Sequence, residues 1–254
     1  MLTAITRKVS QTLADCELTW RQREPIDVEL AQAQHRDYEV LLHDLGARVI
    51  SLPALEEYPD AVFVEDPALV LDEVGVITAM GCESRYGEGA SLAVELWDFR
   101  PLIHMRGPGT LEGGDVVHIG KDLFVGISAR TDKAGAEELA RKLQPFGYRV
   151  TTVELRDCLH LKSACCYVGD DSILINQELV DTEPFRGYRF IDVAASEAAA
   201  ANALRVNDTV ILPSAHPATA DVLRDAGFRV AEVDITELLK AESGVTCSCL
   251  LFED

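Results

Sequence analysis

One two-stranded pattern recurs along the chain and constrains its fold more than any other feature. "ALVLDEVGVITA" (68–79), "DVVHIGKDLFVGI" (115–127), "CCYVGDDSILIN" (165–176) and "ALRVNDTVILPS" (203–214) each read as a β-branched run, a short polar or glycine turn and a second β-branched run. That is the signature of a hairpin. The turns fall near Asp72, Lys121, Asp170 and Asn207, so they are separated by 49, 49 and 37 residues. Helical patterns such as "TDKAGAEELARKLQPFG" and "HPATADVLRDAGF" follow, with apolar residues three and four apart and a closing glycine; over 177–187 the helical pattern is short. A lone strand comes next: "ARVISLP", "PLIHMRG", "YRVTTVEL", "YRFIDVA" or "FRVAEVDI". Five lone strands against four continuous hairpins leave one hairpin to be assembled from the ends, "TAITRKV" pairing with "GVTCSCLLF". The expectation is an α/β chain of five hairpin–helix–strand units. Joining its ends closes a ring of pseudo-fivefold symmetry, a single domain over 1–254 without exposed sheet edges.

Charge and cysteine usage narrow the function. With a net charge of −20 over 254 residues the chain lacks the clustered basic surface that nucleic acid requires. The same charge suits a small cationic substrate, although acidic surfaces more often serve solubility. The first residues lack the apolar core of a secretion signal, and no apolar run approaches the ~20 residues of a membrane span. Seven irregularly spaced cysteines predict reduced thiols and a cytoplasmic protein.

The segments leading into the hairpins carry the reactive side chains: "YPDAVFVEDP" (58–67), "GTLEGGD" (109–115), "CLHLKS" (158–163) and "GVTCSC" (244–249). Equivalent positions in a ring lie at one end of its axis, so Asp60, Glu65, Asp66, Glu112, Asp115, His160 and Cys247 are expected to converge. Carboxylates crowded in one pocket call for a cation, and a planar guanidinium matches them best. Its central carbon is a target for a thiolate, with a histidine to protonate the departing amine and then activate water. Taken singly these residues say less: Cys165 and Cys166 read as core, Cys247 is as often core as nucleophile, and "LEGGD" alone could be a turn. A zinc site of Cys247, Cys249 and His160 would need an unusually short cysteine spacing. No glycine-rich stretch ends in the Gly-Lys-Ser/Thr of a phosphate loop.

"FVEDP", "GCESRYGE", "GTLEGGD", "SARTD", "LHLKS" and "GVTCS" occur in the order seen in dimethylarginine dimethylaminohydrolases, and the chain resembles that family nearly end to end. The resemblance implies a five-bladed α/β propeller, the pentein fold, and hydrolysis of N-ω-methylated arginines without metal or organic cofactor. It implies Cys247 as nucleophile, His160 as general acid and base, and Glu112 as the carboxylate holding histidine and guanidinium. Asp66 matches a second guanidinium-binding carboxylate, with Glu65 beside it. Arg85 and Arg130 match a pair gripping the substrate's α-carboxylate; Asp60 and the backbone near Leu18 match the region receiving its α-amino group. Where the family usually carries serine two positions after the nucleophile, this chain has Cys249. The expected partner is a small cationic amino acid, neither nucleic acid nor membrane, and the chain would act as a monomer or homodimer. Arginine deiminase, agmatine-type deiminase and amidinotransferase share the triad and remain alternatives, as does a non-catalytic binding protein of the same fold.

Overall fold

The computed structural model describes residues 1–254. In the first unit β1 (Leu2–Arg7) leads through α1 (Val28–Asp44) to β2 (Arg48–Leu52). The second runs β3 (Ala68–Val70), β4 (Gly75–Ile77), α2 (Gly89–Leu96) and β5 (Leu102–His104). The third runs β6 (Val116–Ile119), β7 (Asp122–Ile127), α3 (Lys133–Leu143) and β8 (Arg149–Glu154). A one-turn α4 (Leu161–Ala164) introduces the fourth: β9 (Cys165–Gly169), β10 (Ser172–Ile175) and β11 (Arg189–Asp192). The fifth contains β12 (Leu204–Val206), β13 (Thr209–Pro213), α5 (Pro217–Asp225) and β14 (Arg229–Val233), and α6 (Thr236–Leu239) and β15 (Leu250–Glu253) follow.

The strands form five three-stranded sheets, each an antiparallel pair extended by a parallel third strand. The hairpin missing from the sequence is made by the ends: β1 pairs antiparallel with β15, Ala4 opposite Leu251, while β2 lies parallel on its other side. Local chemistry sets the units. Asp170 and Asp171 both take positive φ (51° and 50°), as a tight hairpin turn requires, and Asp27 and Asp132 cap the first turns of α1 and α3 through their carboxylates. The middle strands β4, β10 and β13 are buried throughout, which explains their unbroken apolar runs.

Packing joins the units in sequence. Each of five apolar clusters draws on two units: Ile5 and Phe252 with Ile77, Val76 with Val125, Phe124 with Ile173, Leu174 with Val210, and Ile211 with Ala4. The opening strands β3, β6, β9, β12 and β15 share the wall of one cavity of about 270 Å³.

Two local expectations are corrected. No α-helix forms over 177–187; one 3₁₀ turn, Glu183–Phe185, stands there, because Pro184 and the left-handed Gly187 (φ 104°) interrupt so short a segment. The closing strand begins only at Leu250. Val245–Ser248 are a turn, in which the Cys249 N–H donates to the Thr246 carbonyl (3.2 Å). All seven cysteines are free thiols, and no helix is long and apolar enough to cross a membrane.

Candidate active site

Each opening strand is preceded by a loop that carries polar side chains toward the same region. His160, at the N-terminal end of α4, is buried; its Nε2 lies 2.9 Å from Glu112 Oε2 and its Nδ1 3.9 Å from Asp66 Oδ1. The adjacent Leu161 N–H donates to Asp115 Oδ1 (2.9 Å), whose other oxygen accepts from Ser128 (2.7 Å). This fixes the backbone beside the imidazole. Burial, the largest single influence, opposes the charge on His160, but Asp66, Asp115 and Glu112 together outweigh it and push its pKa up to about 9. Burial in turn raises Asp115 to about 6.

The glycines of "LEGGD" permit this approach. A Cβ on Gly114 would stand 2.7 Å from His160 Nδ1 and 2.8 Å from Asp66 Oδ1, so no larger residue fits between them. The Gly114 N–H also donates to Asp66 Oδ1 (3.2 Å).

Around this centre six buried groups alternate in sign: Glu88, Arg85, Asp66, His160, Glu112 and Arg130. Arg85 donates to Asp66 Oδ2 (2.8 Å), to both Glu88 oxygens (2.9 and 2.8 Å) and to the carbonyls of Asp60 and Phe63. Burial opposes ionisation of Asp66 most strongly, yet His160, Arg85 and Arg130 hold its carboxyl below the usual range. Glu112 is fully buried; its Oε1 accepts from the Gly81 N–H (3.0 Å) and lies 3.5 Å from Arg130 Nη1. Arg130 Nη2 donates to Thr19 (3.1 Å) in the loop that also carries Leu18. Asp60 Oδ2 accepts from the Glu17 N–H (3.0 Å) of the same loop, and burial raises its pKa. Leu18 is half-buried against the cluster joining the first and fifth units.

Cys247 sits in the turn ahead of β15, half-buried, with Sγ accepting from the Gly244 N–H (3.3 Å). Burial first, then Glu65 and Asp66, push its thiol up to about 12, so the resting group is neutral. Glu65 is held by Lys162 Nζ (2.5 Å) and the Thr246 hydroxyl (2.6 Å), and its N–H donates to the Cys247 carbonyl (3.1 Å); burial still raises its pKa.

A cavity of about 680 Å³ has Cys247, His160, Glu65, Lys162 and Gly114 in its wall. Asp60, Asp66, Glu112, Arg85, Arg130 and Leu18 are not on that wall; Asp66 and Glu112 contact His160 from behind it and are paired with Arg85 and Arg130. The carboxylate-gripping site expected of Arg85 is therefore not laid open: a guanidinium this deeply buried must be paired, and Asp66 and Glu88 pair it. Cys249 lines the smaller cavity and Cys247 the larger, because Cys247 lies in the turn and Cys249 just after it, not side by side in a strand. The Cys247–Cys249–His160 zinc set is not assembled. Asp66, Glu112 and His160 place one ligating atom each within 4.8 Å of one another, but Arg85 and Arg130 already compensate the carboxylates and the charged imidazole opposes a second cation.

Three polar residues escaped the sequence reading. Asn202, ahead of β12, occupies the fifth unit's equivalent of the other four loops. Its Nδ2 donates to Thr246 Oγ1 (3.0 Å) and the Lys162 carbonyl (3.2 Å), and its Oδ1 accepts from the Thr246 N–H (3.0 Å). The repeat itself was the signal that could have found it. Lys162 and Glu88 stood within quoted motifs, but only burial shows why a charge is needed at each.

The sequence model of the arginine deiminase family matches residues 54–199. An N(G),N(G)-dimethylarginine dimethylaminohydrolase from Pseudomonas aeruginosa is 34% identical over 98% of this chain and 98% of its own length. One from Streptomyces coelicolor is 35% identical over 96% and 94%. The solved structure of a cysteine-to-serine variant of the P. aeruginosa enzyme, complexed with citrulline, superposes with a TM-score of 0.94 at 33% identity, covering 99% of this chain and 100% of that one. With the carboxylate-held His160 and the Cys247 thiol sharing one cavity, these likenesses place the chain in the dimethylarginine dimethylaminohydrolase family.

Proposed function

We propose that the protein hydrolyses N-ω-methylated L-arginines to L-citrulline and methylamine or dimethylamine, with Cys247 as nucleophile and His160 as general acid and base. One observation carries the reading above the rest: a charged imidazole held by Glu112 and Asp66 opens into the same cavity as the Cys247 thiol.

The resting electrostatics suggest how the thiol is activated. His160 is protonated at neutral pH and cannot take the thiol proton. Burial first, then the charges of Glu65 and Asp66, hold the thiol neutral, and a substrate guanidinium arriving beside Asp66 offsets those charges. The thiol proton then leaves to solvent. The thiolate bonds to the guanidinium carbon while Asp66 and Glu112 keep that group charged and oriented. His160 gives its proton to the nitrogen of the breaking C–N bond, and the amine departs from an S-alkylthiouronium. Neutral His160 then takes a proton from water, whose oxygen attacks the same carbon; collapse breaks the C–S bond, the remaining hydroxyl proton passes to the departing thiolate to restore the neutral thiol, and citrulline is released. Arg130, together with Arg85 once it is released from Asp66, would hold the substrate's α-carboxylate, and Asp60 with the Leu18 backbone its α-amino group.

The same reading treats 1–254 as one domain closed into a five-bladed α/β propeller. Terminal strand pairing, five clusters that link each unit to the next, and a cavity bordered by all five opening strands support it. A cytoplasmic site of action and a monomeric or homodimeric state accompany the proposal.

The test is citrulline release from asymmetric dimethylarginine, monomethylarginine and arginine, by the protein and by Cys247→Ala. Turnover of the methylated substrates that falls by at least about a thousandfold in the variant is expected. Turnover of arginine alone would move the chain to the deiminases whose family model it matches, and modification of Cys249 in place of Cys247 by a thiol-reactive guanidine would overturn the nucleophile.

A further inference from the structure

The cavity that reaches Cys247 and His160 extends beyond anything a methylamine needs. From His160 its wall continues along Asp157, Leu179, Ala198, Ala199, Ala215 and His216, all contributed by the loops of the fourth and fifth units. The wall also carries Trp20, Arg21 and Glu24, from the first unit's loop that holds Leu18; the groups proposed to hold the amino-acid end, Asp60, Arg85, Arg130 and Leu18, come from the first three units and are not themselves on it. His160 protonates the departing nitrogen, so this side of the site is where the N-ω substituent lies. Its volume, about 680 Å³, is within the ~300–1,000 Å³ range of pockets that enclose whole ligands.

Two further features mark this space as built. The residues facing the substituent are small, Ala198 and Ala199 both exposed, with the apolar Leu179 beside them. Asp157 (φ 48°) and Glu242 (φ 57°), both on the cavity wall, hold left-handed backbone conformations without being glycine. Such strain persists only where the surroundings enforce it, and it gathers at working sites. Glu242 is enforced by its carboxylate, which accepts from the consecutive N–H groups of Thr19 (2.8 Å), Trp20 (2.6 Å) and Arg21, holding that loop along the cavity.

We infer that the substrate class extends to L-arginines whose N-ω substituent is larger than two methyl groups, uncharged alkyl or arylmethyl groups included. The inference rests on the methylarginine reading above. The chemistry is unchanged: the C–N bond to the substituted nitrogen breaks, water supplies the oxygen of citrulline, and the substituent leaves as its primary amine with the proton from His160.

The experiment compares citrulline release from N-ω-monomethyl-, N-ω-propyl- and N-ω-benzyl-L-arginine by the full chain and by Ala199→Trp. Benzyl and propyl substrates should show kcat/KM within about tenfold of monomethylarginine, and Ala199→Trp should lower the benzyl-to-methyl ratio by about tenfold or more. Turnover of monomethylarginine with a larger fall for the bulkier substrates overturns the inference while leaving the methylarginine reading intact. An unchanged ratio in Ala199→Trp also overturns it, since the substituent then lies elsewhere; if that variant does not fold, the substrate series decides alone. Failure to turn over any of the three substrates removes the reading on which the inference rests.

Discussion

His160 concentrates the chemistry of this chain in one titration. Its ordinary pKa of 6.5 is raised to about 9 in the folded protein, where burial opposes the charge but three carboxylates outweigh it. The unfolded chain loses this proton near 6.5 and the folded chain keeps it to about 9. The stabilisation is therefore complete below 6.5, is lost progressively as pH rises to about 9, and is absent above. While it is being lost the slope reaches at most about 1.4 kcal/mol per pH unit. Urea unfolding at steps between pH 6 and 10 should show that decline in the protein and a flatter profile in His160→Gln; equal slopes would mean the imidazole is not charged at rest. In the proposed scheme this proton is delivered to the leaving amine, so kcat should fall above about pH 9. Little of this was legible beforehand. "LHLKS" and "LEGGD" named the histidine and its carboxylate, but that Asp66 is shared between His160 and Arg85, and that Glu88 closes the series, depends on side chains meeting between loops far apart in sequence.

At the level of elements the turn Val245–Ser248 decides which thiol lines the cavity that His160 also reaches. Cysteines two apart would share a face in a strand, and the run "GVTCSCLLF" reads as one because its β-branched and apolar residues suit either conformation. What bends it lies outside the run: Asn202 makes three hydrogen bonds, two to Thr246 and one to the Lys162 carbonyl, and the Thr246 hydroxyl donates to Glu65. Asn202 thus ties the loop ahead of β12 to the turn that carries Cys247 and to the residue two after His160. Asn202→Ala removes all three bonds and leaves the Thr246 N–H unpaired, at a cost of about 1–3 kcal/mol. Because the thiol loses its fixed position, kcat should fall by about tenfold to a hundredfold with a smaller change in KM. Steady-state kinetics with alkylation rates of Cys247 would check it, and unchanged kcat with an equal loss of stability would show that Asn202 only braces the fold. The absence of a helix over 177–187 belongs to the same scale: Pro184 and Gly187 were visible, yet local periodicity alone does not weigh two breakers against a short amphipathic run.

Across the whole molecule the repeat was readable because hairpin turns and lone strands leave strong local marks, and the mismatch of five strands to four hairpins pointed to the ends. Those ends meet: Met1 N lies 3.2 Å from the Asp254 carbonyl, and the Asp254 N–H donates to the Met1 carbonyl (3.0 Å). If the ring closes through β1 and β15, the position of the chain break should matter little and the presence of β15 a great deal. A circular permutant joining Asp254 to Met1 by a short glycine linker, and opened at Gly187, where the backbone is left-handed and nothing stands within 4 Å of a built Cβ, keeps every strand pair. Its Tm should stay within about 5 °C of the parent and its kcat within about threefold. Deleting 250–254 instead exposes the edge of β1 and removes Leu250 and Phe252 from the cluster joining the first and second units. Losing two such side chains costs on the order of 5 kcal/mol or more, against a total stability of about 5–15 kcal/mol, so the shortened chain should not fold cooperatively at 37 °C. Thermal unfolding and citrulline release from both constructions test the closure together. A truncated chain that unfolds cooperatively near the parent's Tm, or a permutant that does not fold, would show that the five units hold together without the joined ends.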